Sequence, residues 1–187
     1  RDVDCMGARV IATADPLRFG EPEGQFADRT KWIVAGVVDG IWQYGNALGV
    51  PCLGGDVYFN STFDDNCLVN VVSLGLVAED DIIHSAVPAQ AADEPYDLIL
   101  VGKPTDDSGI GGSAFASKIL SEEDQEEDRG AVQVPDPFLK NVLAMRKANE
   151  AVRQRAKELG VPIGIKDIGG GGIACGSSEI VDAGGFG

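Results

Sequence analysis

The sequence predicts a mixed fold of class α/β, or α+β, in which helices and strands form separate layers. Two observations lead to this prediction. In the second half of the chain, a strand, a glycine-rich loop and a helix follow one another twice. In the first half, a long amphipathic helix precedes two β-type segments. Patterns of this kind are typical of domains in which helices cover a sheet.

The β elements of the first half are predicted from apolar segments bounded by turn residues. One strand is expected at residues 10–17, before a Gly/Pro/Glu linker at 20–24. Two further segments, 52–59 and 68–77, are joined by a polar turn at 60–66. Because they are adjacent in sequence, they are expected to pair as a hairpin.

A long helix is predicted at residues 28–48, where apolar side chains recur at helical spacing. Asp28 is the expected N-cap, and Gly49 marks the end. Gly36 and Gly40 lie inside this helix, where each glycine costs about 1 kcal/mol relative to alanine. They therefore indicate close packing against a neighbouring backbone.

The pattern restarts near residues 78–81, so the chain is expected to divide into residues 1–79 and 80–187. In the second part, a long helix is expected to be capped by Asp136 and to end at Leu159. The remaining predicted elements are strands at 97–102, 131–134 and 163–166, glycine loops at 105–113 and 167–172, and helices at 114–120 and 173–183.

Composition excludes several classes of protein. The chain has 187 residues and a net charge of −15, which disfavours nucleic acid as a partner because binding to phosphates needs clustered Lys and Arg. No apolar run approaches the ~20 residues that span a bilayer, so no membrane partner is expected. The four cysteines form no CxxC pair, which favours reduced, buried thiols in a cytoplasmic protein.

The two glycine loops are candidate anion sites. Backbone N–H groups between a strand and a helix can bind phosphate, and Gly111, Gly112 and Ser113 would do so in the first loop. Gly170 and Gly171 would do so in the second. A glycine loop is equally compatible with a simple tight turn, and neither loop matches a Walker or dinucleotide motif.

Carboxylates beside the glycines suggest a cation. Asp167 precedes the second loop and is a candidate Mg²⁺ ligand, with an N-cap as the equal alternative. Asp2 beside Arg1 is either part of a similar site or a surface pair. The role of Asp56, which follows two glycines, stays open. His84 is the single histidine, and a structural or surface role is favoured over catalysis.

Five motifs in fixed order resemble the phosphoribosylformylglycinamidine synthase family, within the superfamily of aminoimidazole ribonucleotide synthetase. The resemblance covers essentially the whole chain. The motifs are RDV-x-x-MGAR (1–9), YGN-x-x-GVP-x-x-GGDVYF (44–59), SGIGGSAFAS (108–117), VQVPDPF (132–138) and IKDIGGGGI (165–173).

The resemblance implies a fold and a reaction. The sheet of the first domain would join another copy in a barrel, and residues 80–187 would open the family's α+β C-terminal domain. The family uses ATP to phosphorylate the amide oxygen of formylglycinamide ribonucleotide, and ammonia then displaces phosphate to give the amidine. The ammonia comes from a glutaminase subunit acting with a small accessory subunit, or from a fused glutaminase domain.

Residue roles are implied at matching positions. Arg1 and Gln133 would bind substrate, and Asp2 and Asp167 would bind Mg²⁺. The chain begins with Arg1 rather than Met and ends within a glycine-rich stretch, so it is expected to be part of a longer protein. The family's catalytic histidine motif would precede Arg1, and the Glu-Ser-Gln segment and second nucleotide-binding half would follow residue 187. The isolated chain is therefore expected to be inactive.

Some residues depart from the family pattern, and other functions remain open. Asp56 stands where glutamate is usual, Pro135 where glycine is usual, and Lys166 where glutamine is usual. The alternatives are another superfamily enzyme, such as a thiamine-phosphate kinase or selenophosphate synthetase, and a non-catalytic structural half. VQVPDPF argues against the two other enzymes, and the retained Arg1, Asp2, Gln133 and Asp167 favour a catalytic half.

Overall fold

The computed structural model describes residues 1–104, 106–109, 111–116 and 129–186. The chain forms two compact units: a sheet unit, Ala8–Val77, and a helical unit that joins Arg1–Gly7 to Ala78–Gly187. The described helices and strands are α1 (Asp2–Cys5), β1 (Arg9–Phe19), α2 (Ala27–Leu48), β2 (Cys52–Phe59), β3 (Leu68–Val69), β4 (Val72–Leu76), α3 (Gly112–Ala116), α4 (Pro137–Lys140), α5 (Ala148–Leu159) and α6 (Gly172–Ala183).

The mixed α/β prediction is confirmed, and the sheet unit is organised around β1. This strand pairs in parallel with β2, with Phe19 opposite Phe59, and antiparallel with β3 and β4. The predicted hairpin of 52–59 with 68–77 is therefore wrong, because β1 lies between the two segments. The long α2 crossover permits the parallel pairing of β1 with β2, since parallel neighbours need a connection of a dozen or more residues.

The core of the sheet unit is small and lies on β1. Ala12, Leu17 and Phe19 are buried, and the Phe19 ring lies 6.0 Å from that of Phe59. The predicted strand at 10–17 is confirmed and is longer than expected, because β3 and β4 together supply partners along most of its length.

Helix α2 confirms the predicted helix, except at its first turn and on its packing face. Phe26 holds the N-cap position, and Asp28 lies in the first turn instead, where its charge favours the positive helix end. Gly49 ends the helix with φ of 70°. A Cβ built on Gly36 or Gly40 meets nothing within 4 Å in the described chain, so the expected close packing is absent there.

Three apolar segments of the helical unit were predicted to be strands, but the structure shows no strand at any of them. Residues 97–101, 132–134 and 163–166 are not in strands, and Ile99 is 79% exposed. The strand predictions are therefore wrong for the described chain. A β-strand requires a partner strand, and among the described residues only isolated contacts are formed, such as the Ser85 hydroxyl donating to the Ile165 carbonyl (3.0 Å).

The long helix predicted after Asp136 is interrupted. Asp136 caps α4 as expected, its carboxylate accepting from the Leu139 N–H (2.8 Å). A π-type turn, Asn141–Met145, follows, and Lys147 then adopts a left-handed φ of 65° before α5 begins. Gly160 ends α5 with φ of 66°, as expected.

A helix follows each of the two glycine loops, as predicted. Helix α6 confirms the helix at 173–183. Helix α3 begins two residues earlier than expected, and residues 117–120 lie outside the described part. Across the described ranges, no helix is both long and apolar enough to cross a membrane.

Two separate segments of the chain meet inside the helical unit. The Ile83 N–H donates to the Met6 carbonyl (3.1 Å), and Gly7 adopts φ of +88°. A Cβ on Gly7 would lie 2.5 Å from the carbonyl oxygen of Asp81, so only glycine fits this junction without a shift of the backbone. The chain therefore leaves this unit and returns to it at neighbouring points.

Candidate functional site

Three of the predicted site residues lie together in the helical unit. The Arg1 Nε atom is 3.6 Å from Asp2 Oδ1 and 3.7 Å from Asp167 Oδ2. Arg1 and Asp2 stand at the start of α1, whereas Asp167 precedes the second glycine loop. Two carboxylates that are distant in sequence therefore share one cationic group.

Asp167 has a second cationic neighbour. Lys166 Nζ lies 3.6 Å from Asp167 Oδ1 and 3.0 Å from Glu179 Oε2 on α6. Donation to Glu179 is the main cause that raises the pKa of Lys166, and the charge of Asp167 adds to it. The same donation lowers the pKa of Glu179, with a smaller contribution from the thiol of Cys175.

The second glycine loop turns tightly into α6. The Gly172 N–H donates to the Gly169 carbonyl (3.0 Å), and α6 begins at Gly172. A Cβ on Gly171 would lie 2.4 Å from Cys175 Cβ, so a side chain cannot be accommodated without a shift. Gly171 holds the N-cap position and no side chain caps the helix, which excludes the N-cap alternative for Asp167.

Gln133 lies beside the first glycine loop. The Gly109 N–H donates to the Gly130 carbonyl (2.8 Å), and a Cβ on Gly109 would lie 3.3 Å from Gln133 Cβ. Gly111 has φ of +74°, and a Cβ on Gly112 would lie 2.9 Å from a backbone oxygen. The structure thus places Gln133 next to the first glycine loop. The side chain of Ser113 lies outside the described part.

Asp106 forms side-chain contacts on the N-terminal side of this first loop. Its carboxylate accepts from the Ser108 N–H (3.0 Å) and hydroxyl (2.6 Å), and it pairs with Lys103. The hydrogen bond from Lys103, followed by those from Ser108, holds the pKa of Asp106 well below its usual range. The spacing Asp-x-Ser, typical of an Asx turn, was the signal in the sequence that could have identified it.

Asp4 is the residue near the site that sequence reasoning missed. It is 4% exposed and accepts from Asn149 Nδ2 (2.6 Å) and Lys140 Nζ (3.2 Å). Arg153 Nη1 lies 3.9 Å from its carboxylate and 3.4 Å from its carbonyl oxygen. No motif could have indicated this cluster, since its members come from α1, α4 and α5.

Two other singled-out residues make different contacts. Asp56 forms a two-point ion pair with Arg18 (2.7 and 3.2 Å) in the sheet unit, and the Arg18 guanidinium lies 5.9 Å from the Tyr58 ring. The backbone oxygen of His84 accepts from the Ile165 N–H (3.4 Å). That contact agrees with a structural role for His84. All four cysteines are free, as predicted, but the expectation that they are buried is wrong: Cys52 and Cys175 are exposed, and Cys5 and Cys67 are partly exposed.

The donor chemistry of Asp2 and Asp167 fits Mg²⁺. No group of three or more His, Cys, Asp or Glu side chains in the described ranges could hold a metal ion. Mg²⁺ does not require one, because it is usually bound through one or two carboxylates together with substrate phosphates and water. Asp2 and Asp167 supply two such oxygen donors, which lie 3.6 and 3.7 Å from the same Arg1 Nε atom.

Comparison with known families matches both parts of the chain. Residues 1–77 match the model of the AIR synthase related protein N-terminal domain. Residues 94–187 match the model of the AIR synthase related protein C-terminal domain. Together the two models cover most of the chain in the order in which it is written.

Individual relatives are similar over the whole of this chain. The phosphoribosylformylglycinamidine synthase subunit PurL of Methanothrix thermoacetophila is 62% identical over 187 residues, which is 100% of this chain and 24% of the relative. That of Thermococcus kodakarensis is 44% identical with the same coverage. The chain thus spans about a quarter of the length of these curated relatives.

Solved structures of PurL are also similar over nearly the whole of this chain. T. maritima PurL complexed with FGAR superposes with a TM-score of 0.71 at 32% identity, covering 99% of this chain and 27% of that one. T. maritima PurL complexed with ATP superposes with a TM-score of 0.61 at 26% identity, covering 98% of this chain and 24% of that one. The structure of PurLQS from Thermotoga maritima superposes with a TM-score of 0.60 at 27% identity, covering 97% of this chain and 24% of that one.

Proposed function

This chain belongs to the AIR synthase related protein family, and we propose that it forms part of a phosphoribosylformylglycinamidine synthase of purine biosynthesis. In that enzyme, ATP would phosphorylate the amide oxygen of formylglycinamide ribonucleotide. Ammonia derived from glutamine would then displace phosphate, giving the amidine, ADP and inorganic phosphate. Similarity to PurL structures that hold FGAR and ATP supports both substrates.

Within this proposal, residues 1–79 supply the end of one family domain and residues 80–187 the start of the next. The matched ranges, 1–77 and 94–187, support a division in this region. The catalytic histidine would come from the part of the enzyme that precedes Arg1.

Arg1 and Gln133 are the proposed substrate contacts. The Arg1 side chain is half exposed, so its guanidinium can donate to an anionic or carbonyl oxygen of a bound ligand. Gln133 stands beside the first glycine loop, where its amide can both donate and accept. Positively charged and amide donors at fixed positions would orient a ribonucleotide phosphate and its amide.

Asp2 and Asp167 would hold the metal. Mg²⁺, when bound, neutralises charge on the phosphoryl group during transfer. The two carboxylates already converge on a cation, and Asp167 is only 19% exposed, so its position is fixed by its surroundings. The second glycine loop, directly after Asp167, offers backbone N–H groups from Gly170 and Gly171 to phosphate.

The proposal includes partners and a compartment. A glutaminase subunit with a small accessory subunit, or a fused glutaminase domain, would supply ammonia in the cytoplasm. The assembly of T. maritima PurL in PurLQS supports separate subunits. The negative charge of the chain argues against nucleic acid as a further partner.

The observation that carries the proposal is the meeting of Asp2 and Asp167 at one cationic atom. In the intact enzyme, Asp167→Asn is expected to weaken Mg²⁺-dependent binding of ATP and to reduce kcat/KM about 100-fold or more, because a metal ligand loses its charge. Asp2→Asn should act in the same direction. Calorimetric titration of ATP at several Mg²⁺ concentrations, with steady-state kinetics, measures both effects.

Asp93→Asn is the matched control. It removes an exposed carboxylate of the same unit that has no side-chain hydrogen bond among those described. Its Mg²⁺ dependence should equal that of the wild type. Unchanged Mg²⁺ dependence in both Asp2→Asn and Asp167→Asn would instead favour a non-catalytic structural half.

A further inference from the structure

We propose that Asp4 is a positioning residue, which holds Arg1 and Asp2 against Asp167 through its buried contacts with Lys140, Asn149 and Arg153. The inference rests on the proposed function, since it concerns the same cation site. It adds a residue that touches none of the reacting groups and acts through the helical turn on which Arg1 and Asp2 stand.

Helix α1 is only four residues long. Its single turn is closed by donation from the Cys5 N–H to the Arg1 carbonyl (3.0 Å) and from the Met6 N–H to the Asp2 carbonyl (3.2 Å). An isolated turn of this kind is unstable, because nucleating a helix fixes several residues for one hydrogen bond. The position of α1 therefore depends on contacts with the rest of the unit.

The buried side chain of Asp4 supplies contacts of this kind. Its carboxylate receives Asn149 Nδ2 at 2.6 Å and Lys140 Nζ at 3.2 Å. Arg153 reaches both the carboxylate (3.9 Å) and the Asp4 carbonyl oxygen (3.4 Å). The turn is thus joined to α4 and to α5 at once.

The Asp4 carboxylate also balances buried positive charge. Lys140 and Arg153 are largely buried, and the Asp4 carboxylate is the described partner of both. Loss of that charge would leave two cations without compensation in a poorly solvated place, which is strongly unfavourable. The cluster would then rearrange, and α1 would move with it. Asp2 lies on the same turn as Asp4, so its carboxylate would move away from Asp167.

This arrangement resembles the outer shell of a metal site, in which partners of the ligands fix their orientation. Substitution of such partners typically costs 10–100-fold in metal affinity. Asp4→Asn in the intact enzyme is therefore expected to raise the Mg²⁺ concentration for half-maximal binding of AMPPCP by about tenfold. Calorimetry measures this value, well below the melting temperature of each variant.

A second variant keeps the test decisive if Asp4→Asn does not fold. Asn149→Ala removes one donor and leaves the carboxylate with both cations, so the half-maximal Mg²⁺ concentration should rise several-fold. Gln154→Ala is its matched control, an amide on the same helix that donates to exposed Glu158 instead. The control should leave the Mg²⁺ dependence unchanged.

The outcomes separate this inference from the proposed function. If Asp4→Asn and Asn149→Ala lower the melting temperature but keep the wild-type Mg²⁺ dependence, while Asp2→Asn and Asp167→Asn weaken it, Asp4 has only a structural role and the inference fails alone. If none of the four variants alters the Mg²⁺ dependence, the proposed function fails and the inference fails with it.

Discussion

Cys175 shows, at the scale of single residues, how one hydrogen bond sets the chemistry of a side chain beside the second glycine loop. Its thiol donates to Glu179 Oε1 (3.3 Å), and this bond, together with the charge of Glu179, raises the pKa of Cys175. A raised pKa keeps the thiol protonated at neutral pH, and the thiolate is the reactive form. Cys175 should therefore react slowly although it is exposed.

Glu179→Gln is expected to lower the pKa of Cys175 and to speed its alkylation several-fold at pH 8. The variant removes a negative charge that favours the protonated thiol, and it leaves Lys166, whose charge favours the thiolate. Mass spectrometry of iodoacetamide labelling over a pH series measures the rate. Cys52, which is exposed and hydrogen-bonded to Asp15, is the internal control. An equal change at both cysteines would contradict the assignment.

Residue-scale prediction from the sequence succeeded where a motif existed and failed where burial decides. Asp167 and Arg1 were found through their motifs, and the structure brings them together with Asp2. Their roles as ligands stay predictions. Asp4 carried no signal, because a buried carboxylate is recognised by its partners, and Lys140 and Arg153 are distant along the chain.

Lys147 defines the break between the π-type turn and α5, at the scale of elements. It is the sole non-glycine residue with positive φ in the described chain. A left-handed conformation costs an L-residue with a Cβ about 1–2 kcal/mol, a cost that glycine avoids. Its ion pair with Glu150 (3.3 Å) is exposed and adds little.

Lys147→Gly is expected to stabilise the protein by about 1 kcal/mol, because it relieves this left-handed backbone. Urea unfolding of the variant and wild type measures the difference. Ala151→Gly, one turn later in α5, is the matched control and should destabilise by about 1 kcal/mol. Destabilisation by Lys147→Gly would mean that the helix is continuous through this position.

Element-scale prediction was reliable for α2, for α6 and for the central strand, whereas the long helix predicted after Asp136 is interrupted. Helices carry their own signals, so α2 and α6 were found with bounds close to those observed. A strand also needs a partner, which periodicity does not specify. For that reason 97–102 was predicted to be a strand but has no partner strand among the described residues, and β2 was assigned to the wrong neighbour.

At the scale of the whole molecule, helix α2 exposes large apolar side chains on the surface. Trp32 is 77% and Trp42 63% exposed, and Val38 lies between them at 53%. Large apolar side chains that are exposed in this way mark interaction sites or aggregation hazards.

The 187-residue chain on its own is therefore expected to self-associate. The double variant Trp32→Ser, Trp42→Ser should weaken that association about tenfold or more, because buried Trp residues dominate interface energies. Sedimentation velocity over a concentration series measures it. Phe138→Ser changes an exposed aromatic residue of the helical unit and should have little effect. A monomer at every concentration would contradict the prediction.

The junction at Gly7 makes the chain order and the spatial order differ. Residues 1–7 are written before the sheet unit, yet they belong to the helical unit, with Met6 bonded to Ile83 and Gly7 against Asp81. The sheet unit is therefore an insertion in the helical unit, and its two connections to that unit are adjacent. Domains with adjacent ends tolerate insertion and permutation best. Recombination at these two connections would replace the sheet unit, while the helical unit keeps both Asp2 and Asp167.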